Sequence, residues 1–226
     1  MNLDLEDRLR CISDDVKLFS EKSDQNIKVI VVTKSQDVES IRPIINLGFN
    51  SFGENYLQEA RVKIDQLKNY NLEWHFIGKI QSNKIKEIVK IFDWIQTVSS
   101  KKHLLAIDKF SSEIQKKMNV CIQINIDEEN TKSGILISEL DNLMALSKSL
   151  SYTNIRGIMA VPSEANALKE EKKSYRILSE KFRQLCESYN SVDTLSLGMS
   201  NDYKIALEHN SNMIRIGTLI FGKRNK

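Results

Sequence analysis

Eight short apolar runs recur through the 226-residue chain, and each is separated from the next by a stretch with helical spacing. They fall at 28–34, 50–52, 73–77, 93–98, 120–126, 155–161, 194–197 and 213–216. The first contains Val29-Ile30-Val31-Val32 with no polar alternation, which predicts a strand covered on both faces, as in a parallel sheet. Strict alternation of strand and helix calls for parallel strands joined by helical crossovers. Eight such units in about 200 residues meet the lower size of a closed (β/α)8 barrel. A doubly wound open sheet is the alternative, but it wants a glycine-rich phosphate turn after its first strand, and no G-x-G-x-x-G occurs there. The expectation is an α/β protein, a single-domain (β/α)8 TIM barrel over residues 1–226.

Leu5, Leu9, Ile12, Val16 and Phe19 recur at three- and four-residue intervals, so residues 1–20 read as an extra amphipathic helix before the first strand. After that strand, Ser35 or Asp37 caps a helix running to Leu47, with Gly48 as its stop; Pro43 inside it predicts a kink or a later start. Further helices are expected at 56–68, from a cap at Ser82 to Ile91, at 101–117, one ending near Leu150, at 167–189 and at 202–209.

Composition narrows the function classes. The chain is 41% hydrophobic and 28% charged, that of an ordinary globular protein, and no run approaches the length of a membrane span. Asp4, Glu6 and Asp7 sit where a leader peptide would be basic or apolar, so the cytoplasm is expected. Cys11, Cys121 and Cys186 are odd in number and far apart. His75, His103 and His209 lack metal-ligand spacing, so neither a disulfide framework nor a metal is expected. A net charge of +3 argues against broad nucleic-acid binding, and local groups such as Lys84 and Lys86 read as solvated helix faces.

The unusual residues gather at the C-terminal ends of the strands: Lys34, Glu54 with Asn55, His75 to Gly78, Asn125, Pro162, Ser200, Arg215 and Gly217-Thr218. In a barrel this is the face where sites form, and helix N-termini pointing there favour anions. A strand-end lysine alone usually just reaches water; partly desolvated, its free amine attacks carbonyls. The loops after strands seven and eight, the usual phosphate site of such barrels, offer Gly198-Met199-Ser200 and Gly217-Thr218. A lysine, a phosphate cradle and an arginine between them fit a phosphorylated aldehyde held as a Schiff base, namely pyridoxal 5'-phosphate (PLP). Arg215 facing the ring nitrogen would be a permanent donor and would weaken the ring as an electron sink; a structural ion pair at the rim is its other reading. Glu54 reads as a strand-end hydrogen-bonding residue. His75 reads as a polar residue packed near the rim, with a general base as the alternative.

Seven collinear motifs then carry a resemblance. They are Val31-Val32-Thr33-Lys34, the stretch Phe52-Gly53-Glu54-Asn55-Tyr56-Leu57-Gln58-Glu59, and Trp74-His75-Phe76-Ile77-Gly78 with Gln81-Ser82-Asn83-Lys84. Lys132-Ser133-Gly134, Gly157-Ile158-Met159-Ala160, Leu197-Gly198-Met199-Ser200-Asn201-Asp202 and the closing Ile214-to-Gly222 stretch follow. Over nearly its whole length the chain resembles the pyridoxal phosphate homeostasis protein family. The resemblance implies a barrel related to the N-terminal domain of alanine racemase, with PLP in Schiff-base linkage to Lys34. It further implies phosphate contacts at Ser200, Gly217 and Thr218, ring-nitrogen contact at Arg215, and Asn55 beside the cofactor. The function it implies is binding, buffering and delivery of PLP without turnover, with PLP-dependent apo-enzymes as recipients; without the second domain of the racemases, a monomer is expected. A PLP-dependent amino-acid racemase is the runner-up; it needs acid/base groups on both faces of its substrate. A cofactor-free Schiff-base aldolase is the third reading. Whether Lys84 takes part in transfer is left open.

Overall fold

The computed structural model describes residues 4–129, 131–163 and 172–222. Eight strands close into one barrel in chain order: β1 (Lys28–Val32), β2 (Ser51–Glu54), β3 (Glu73–Phe76), β4 (Trp94–Val98), β5 (Met118–Ile124), β6 (Thr153–Ala160), β7 (Thr194–Ser196) and β8 (Met213–Ile216). Every neighbouring pair is parallel, and β1 seals the barrel against β8 with Ile30 opposite Arg215. The closed parallel sheet expected from the alternation is therefore the fold.

The helices lie outside the barrel: α1 (Leu5–Ser23), α2 (Val38–Asn46), α3 (Leu57–Gln66), α4 (Ile85–Ile91), α5 (Lys101–Glu113), α6 (Leu140–Met144), α7 (Lys173–Ser188), α8 (Tyr203–Glu208) and α9 (Thr218–Phe221). Helix α1 is the extra N-terminal helix, capped by Asp4 and burying Leu9 and Ile12. Asp37 caps α2 by accepting from Ser40 N at 2.7 Å, and the helix runs through Pro43 to Asn46. Proline there removes a single N–H from a nine-residue helix whose Val38, Ile41 and Ile44 stay buried, so packing outweighs the break.

Two expectations need correcting. The helix expected to end near Leu150 is instead a broken segment, with 3-10 turns at Ile137–Glu139 and Ala145–Ser149 on either side of the five-residue α6. The first strand stops at Val32 rather than residue 34. Thr33 N–H still bonds Gly53 O at 3.0 Å, but Ser35 takes φ 62 and the chain turns away. The start of the helix expected at 167–189 lies partly outside the described residues.

Two apolar layers form the core. The larger fills the space between sheet and helices, from Phe52 and Phe92 to Tyr175 and Ile220. The smaller joins Ile30, Trp94, Cys121, Met159 and Met213 from five different strands, which can meet only inside the barrel. The interior also holds His75, Gln96, Ser196 and Arg215, all buried, where barrels of this class usually carry branched apolar residues. No helix among the described residues is long and apolar enough to cross a membrane.

Candidate functional site

At the C-terminal end of the barrel lies a cavity of about 560 Å³. Lys34, Asn55, Ser200, Arg215, Gly217 and Thr218 all line it. The six residues singled out in the sequence, spread over 185 positions (34 to 218), thus converge on one space. Its apolar lining includes Val32, Ile77, Met159, Val161 and Phe221.

Lys34 is half-buried on the turn after β1. That turn is held by a second lysine. Lys63, on the inner face of α3 and 4% exposed, donates to Thr33 O at 2.6 Å, to Glu54 Oε1 at 2.7 Å and to Glu59 at 2.5 Å. Thr33 Oγ1 donates to the same Glu54 oxygen at 2.6 Å, and Ser35 N–H donates to Glu59. Residues 33 and 35 are thus both tied down, on either side of the cavity lysine. Burial pushes the Glu54 carboxyl up, against the opposing hydrogen bonds of Lys63 and Thr33. Glu54, the last residue of β2, is the strand-end hydrogen-bonding residue expected; it is fully buried, faces α3 and does not line the cavity. Sequence reasoning missed Lys63 altogether. Its only signal was the i,i+4 spacing from Glu59, which also fits an exposed pair.

Asn55 follows β2 on the cavity side, and its Oδ1 is buried without a hydrogen-bond partner. An unpartnered buried acceptor is costly unless something supplies a donor. The end of β3 passes directly over it: a Cβ on Gly78 would lie 2.0 Å from Asn55 O, so no side chain fits at 78.

Gly198 (φ +92) opens the loop after β7; a Cβ there would come within 2.9 Å of Tyr203 Cα. Asp202 fixes this loop by accepting from Met199 N–H at 2.6 Å, and Tyr175 O–H donates to its other oxygen. Ser200 Oγ accepts from Leu219 N–H at 3.0 Å, which joins the β7 and β8 loops and leaves the serine hydrogen to donate. Gly217 and Thr218 stand at the start of α9 beside it.

Arg215 is 4% exposed. Nη1 donates to Ser196 O at 2.8 Å and Ser196 Oγ at 2.5 Å, and Nη2 donates to Ala160 O at 2.9 Å. Among the described residues no carboxylate lies within ion-pairing distance, so the rim ion pair is replaced by carbonyl and hydroxyl acceptors. Burial lowers its guanidinium to about 10, so it remains charged at neutral pH.

His75 is not at the rim. It is fully buried in the barrel interior, stacked on Trp94 at 5.3 Å and bonded to Glu73 and Gln96. The strand alternation puts residue 75 inward, opposite Trp94 on β4, where the two rings stack. His75 does not line the cavity, and neither does Lys84; Lys86 pairs with Glu113 on the surface.

Comparison with known proteins bears on this geometry. Residues 8–225 match the family model described as the alanine racemase N-terminal domain. The chain is 41% identical over 217 residues to the pyridoxal phosphate homeostasis protein of Buchnera aphidicola subsp. Schizaphis graminum, covering 94% of this chain and 95% of that one. It is 39% identical over 207 residues to the protein of the same name from Escherichia coli K12, covering 90% and 88%. Among solved structures it is similar to PipY of Synechococcus elongatus PCC7942 with PLP bound, at TM-score 0.84 and 27% identity over 97% of this chain and 100% of that one.

Proposed function

The chain belongs to the alanine racemase N-terminal domain family and, within it, to the pyridoxal phosphate homeostasis proteins, and from that premise we propose that its barrel cavity holds PLP and that the protein binds, buffers and hands on the cofactor. The observation that carries this reading is the convergence of Lys34, Asn55, Ser200, Arg215, Gly217 and Thr218 on one cavity. The residues present suit the group. The unpartnered Asn55 Oδ1, the hydroxyl of Ser200 and the charged Arg215 offer an acceptor, a neutral donor and a cationic donor to a polar, phosphorylated ring.

When bound, PLP supplies an aldehyde that condenses reversibly with a primary amine. Lys34 is the amine of the cavity, and the Lys63 lattice keeps its backbone from drifting. Ser200, Gly217 and Thr218 would hold the phosphate, with Ser200 set by Leu219 N–H. Arg215 would meet the ring nitrogen as a donor that keeps its own proton at neutral pH, and a nitrogen so met would stay unprotonated and leave the ring a poor electron sink.

The same residues favour holding over turnover. Racemisation needs an acid and a base on opposite faces of the reacting carbon. Among the described residues lining the cavity, Lys34 and Asp202 are, besides the guanidinium of Arg215, the ones with an ionisable side chain, and the Asp202 carboxylate is already taken by Met199 N–H and Tyr175 O–H. The recipients are PLP-dependent apo-enzymes, and the chain acts as a monomer in the cytoplasm.

Borohydride reduction tests the reading. The purified protein is expected to be yellow, to lose its visible band on reduction, and to carry the PLP mass on the peptide containing Lys34. An adduct on another lysine overturns the site, and rapid turnover of a D- or L-amino acid by the pure protein overturns the assignment as a carrier.

A further inference from the structure

Beneath the cavity, buried polar side chains form an unbroken file down the barrel interior. Arg215 Nη1 donates to Ser196 Oγ at 2.5 Å, and Ser196 Oγ donates to Gln96 Oε1 at 2.7 Å. Gln96 Nε2 lies 2.9 Å from His75 Nδ1, and His75 Nε2 lies 2.7 Å from Glu73 Oε1. Glu73 Oε1 also accepts from Lys28 Nζ at 2.6 Å, and Oε2 accepts from Trp94 Nε1 at 3.1 Å. Ser196, Gln96 and His75 are fully buried, whereas Lys28 and Glu73 are about a third exposed at the N-terminal mouth.

With His75 neutral, the chemistry of the two ends fixes the direction of every link. A guanidinium only donates and a carboxylate only accepts. Between them, each group must accept from the cavity side and donate toward Glu73. His75 therefore carries its proton on Nε2 and presents a bare Nδ1, and burial, which lowers its pKa, keeps it neutral. Gln96 must then turn its N–H toward His75, where Met213 Sδ at 3.2 Å takes its other hydrogen. Its carbonyl is left for Ser196, which in turn keeps a lone pair for Arg215. The file is a brace and not a proton path, because an amide passes a proton only through a high-energy imidic acid form.

We propose that Gln96, held in one orientation by His75, is a positioning residue for Arg215 and fixes, through Ser196, the guanidinium that meets the ring of the bound cofactor. The inference rests on the PLP reading above and deepens it. Without the file, Arg215 keeps only the carbonyls of Ser196 and Ala160, and Nη1 loses the hydroxyl that sets its approach.

The test measures release of PLP from the loaded full-length protein into an excess of a trapping apo-enzyme, together with the visible absorption maximum. Thermal unfolding of each PLP-free variant accompanies it. Gln96→Met and Ser196→Ala are each expected to release PLP about tenfold faster and to displace the maximum. Ser196→Thr, which keeps the hydroxyl, should retain the original rate. Placed on an Arg215→Gln background, Gln96→Met and Ser196→Ala should add nothing further. Ser196→Ala removes one oxygen and carries the test if Gln96→Met fails to fold. Release at the original rate from both variants, or the same acceleration with and without Arg215, overturns the inference while the PLP reading stands. An unaltered protein that takes up no PLP sinks both.

Discussion

Lys63 holds the backbone before the cavity lysine directly, at Thr33 O, and the backbone after it through Glu59, which accepts from Ser35 N–H. Its ammonium is buried among Thr33 O, Glu54 and Glu59, so removing it leaves the Glu54 carboxylate buried with only Thr33 Oγ1. Breaking one side of a buried pair is far worse than removing both. Lys63→Met is therefore expected to destabilise the fold by about 3 kcal/mol, and Glu54→Gln added to it to recover part of that loss. Chemical denaturation of the two variants checks this, and equal midpoints for Lys63→Met and the unaltered chain would discount the lattice. At this scale Lys34, Asn55 and Arg215 were legible because strand-end position marks them. Lys63 and Gln96 were not. A lysine on a helix and a glutamine in a β-branched run look like surface residues until something opposite them is known.

Helix and strand existence followed from periodicity, while their ends followed from local hydrogen bonds. Asp37, not Ser35, caps α2, because Ser35 is already turned into φ 62 with its N–H committed to Glu59. Asp37→Ala should cost about 1 kcal/mol of stability, seen as a fall of roughly 2–4 °C in Tm. Helix α2 packs directly after the Lys34 turn, so PLP release should quicken slightly in the same variant; an unchanged Tm would place the cap elsewhere. The segment before β6 shows the opposite case. Ile137, Leu140, Leu143 and Met144 have helical spacing, yet the chain there alternates 3-10 and α turns. Burial of Leu140, Leu143 and Met144 against the barrel is satisfied without a continuous helix.

For the molecule as a whole, the barrel interior makes stability depend on pH. Unfolded, His75 takes up a proton below its ordinary value of 6.5; folded, burial opposes this. The unfolded state then binds more protons, so stability is full above about 6.5 and falls as the pH drops below it. Burial would raise Glu73, but hydrogen bonds and charge from His75 and Lys28 outweigh it and hold the carboxyl at about 2. Its contribution is full above its ordinary 4.5 and is lost toward 2. Urea midpoints should therefore decline from pH 7 to pH 5, and His75→Gln should flatten that first decline and, because His75 is the leading cause of the low Glu73 value, also lessen the steeper loss below 4.5. A midpoint constant between pH 7 and 5 in the unaltered chain would mean that His75 is not buried as a neutral base.

By itself the sequence determined the eightfold alternation, hence the barrel, and the strand ends at which a lysine, an asparagine, an arginine and two small hydroxyl loops stand. Both follow from chain-local facts: hydrophobic period, β-branching and the residues that stop a run. Only the tertiary structure decided which way each strand residue faces. In strands buried on both sides no polar alternation distinguishes the inner face from the outer, so His75 could not be told from a rim residue. Closure of the sheet then brought Gln96 and Ser196, 100 positions apart, within 2.7 Å inside the barrel. Contacts made across a closed barrel depend on shear and curvature of the whole sheet, and no local stretch of sequence encodes them.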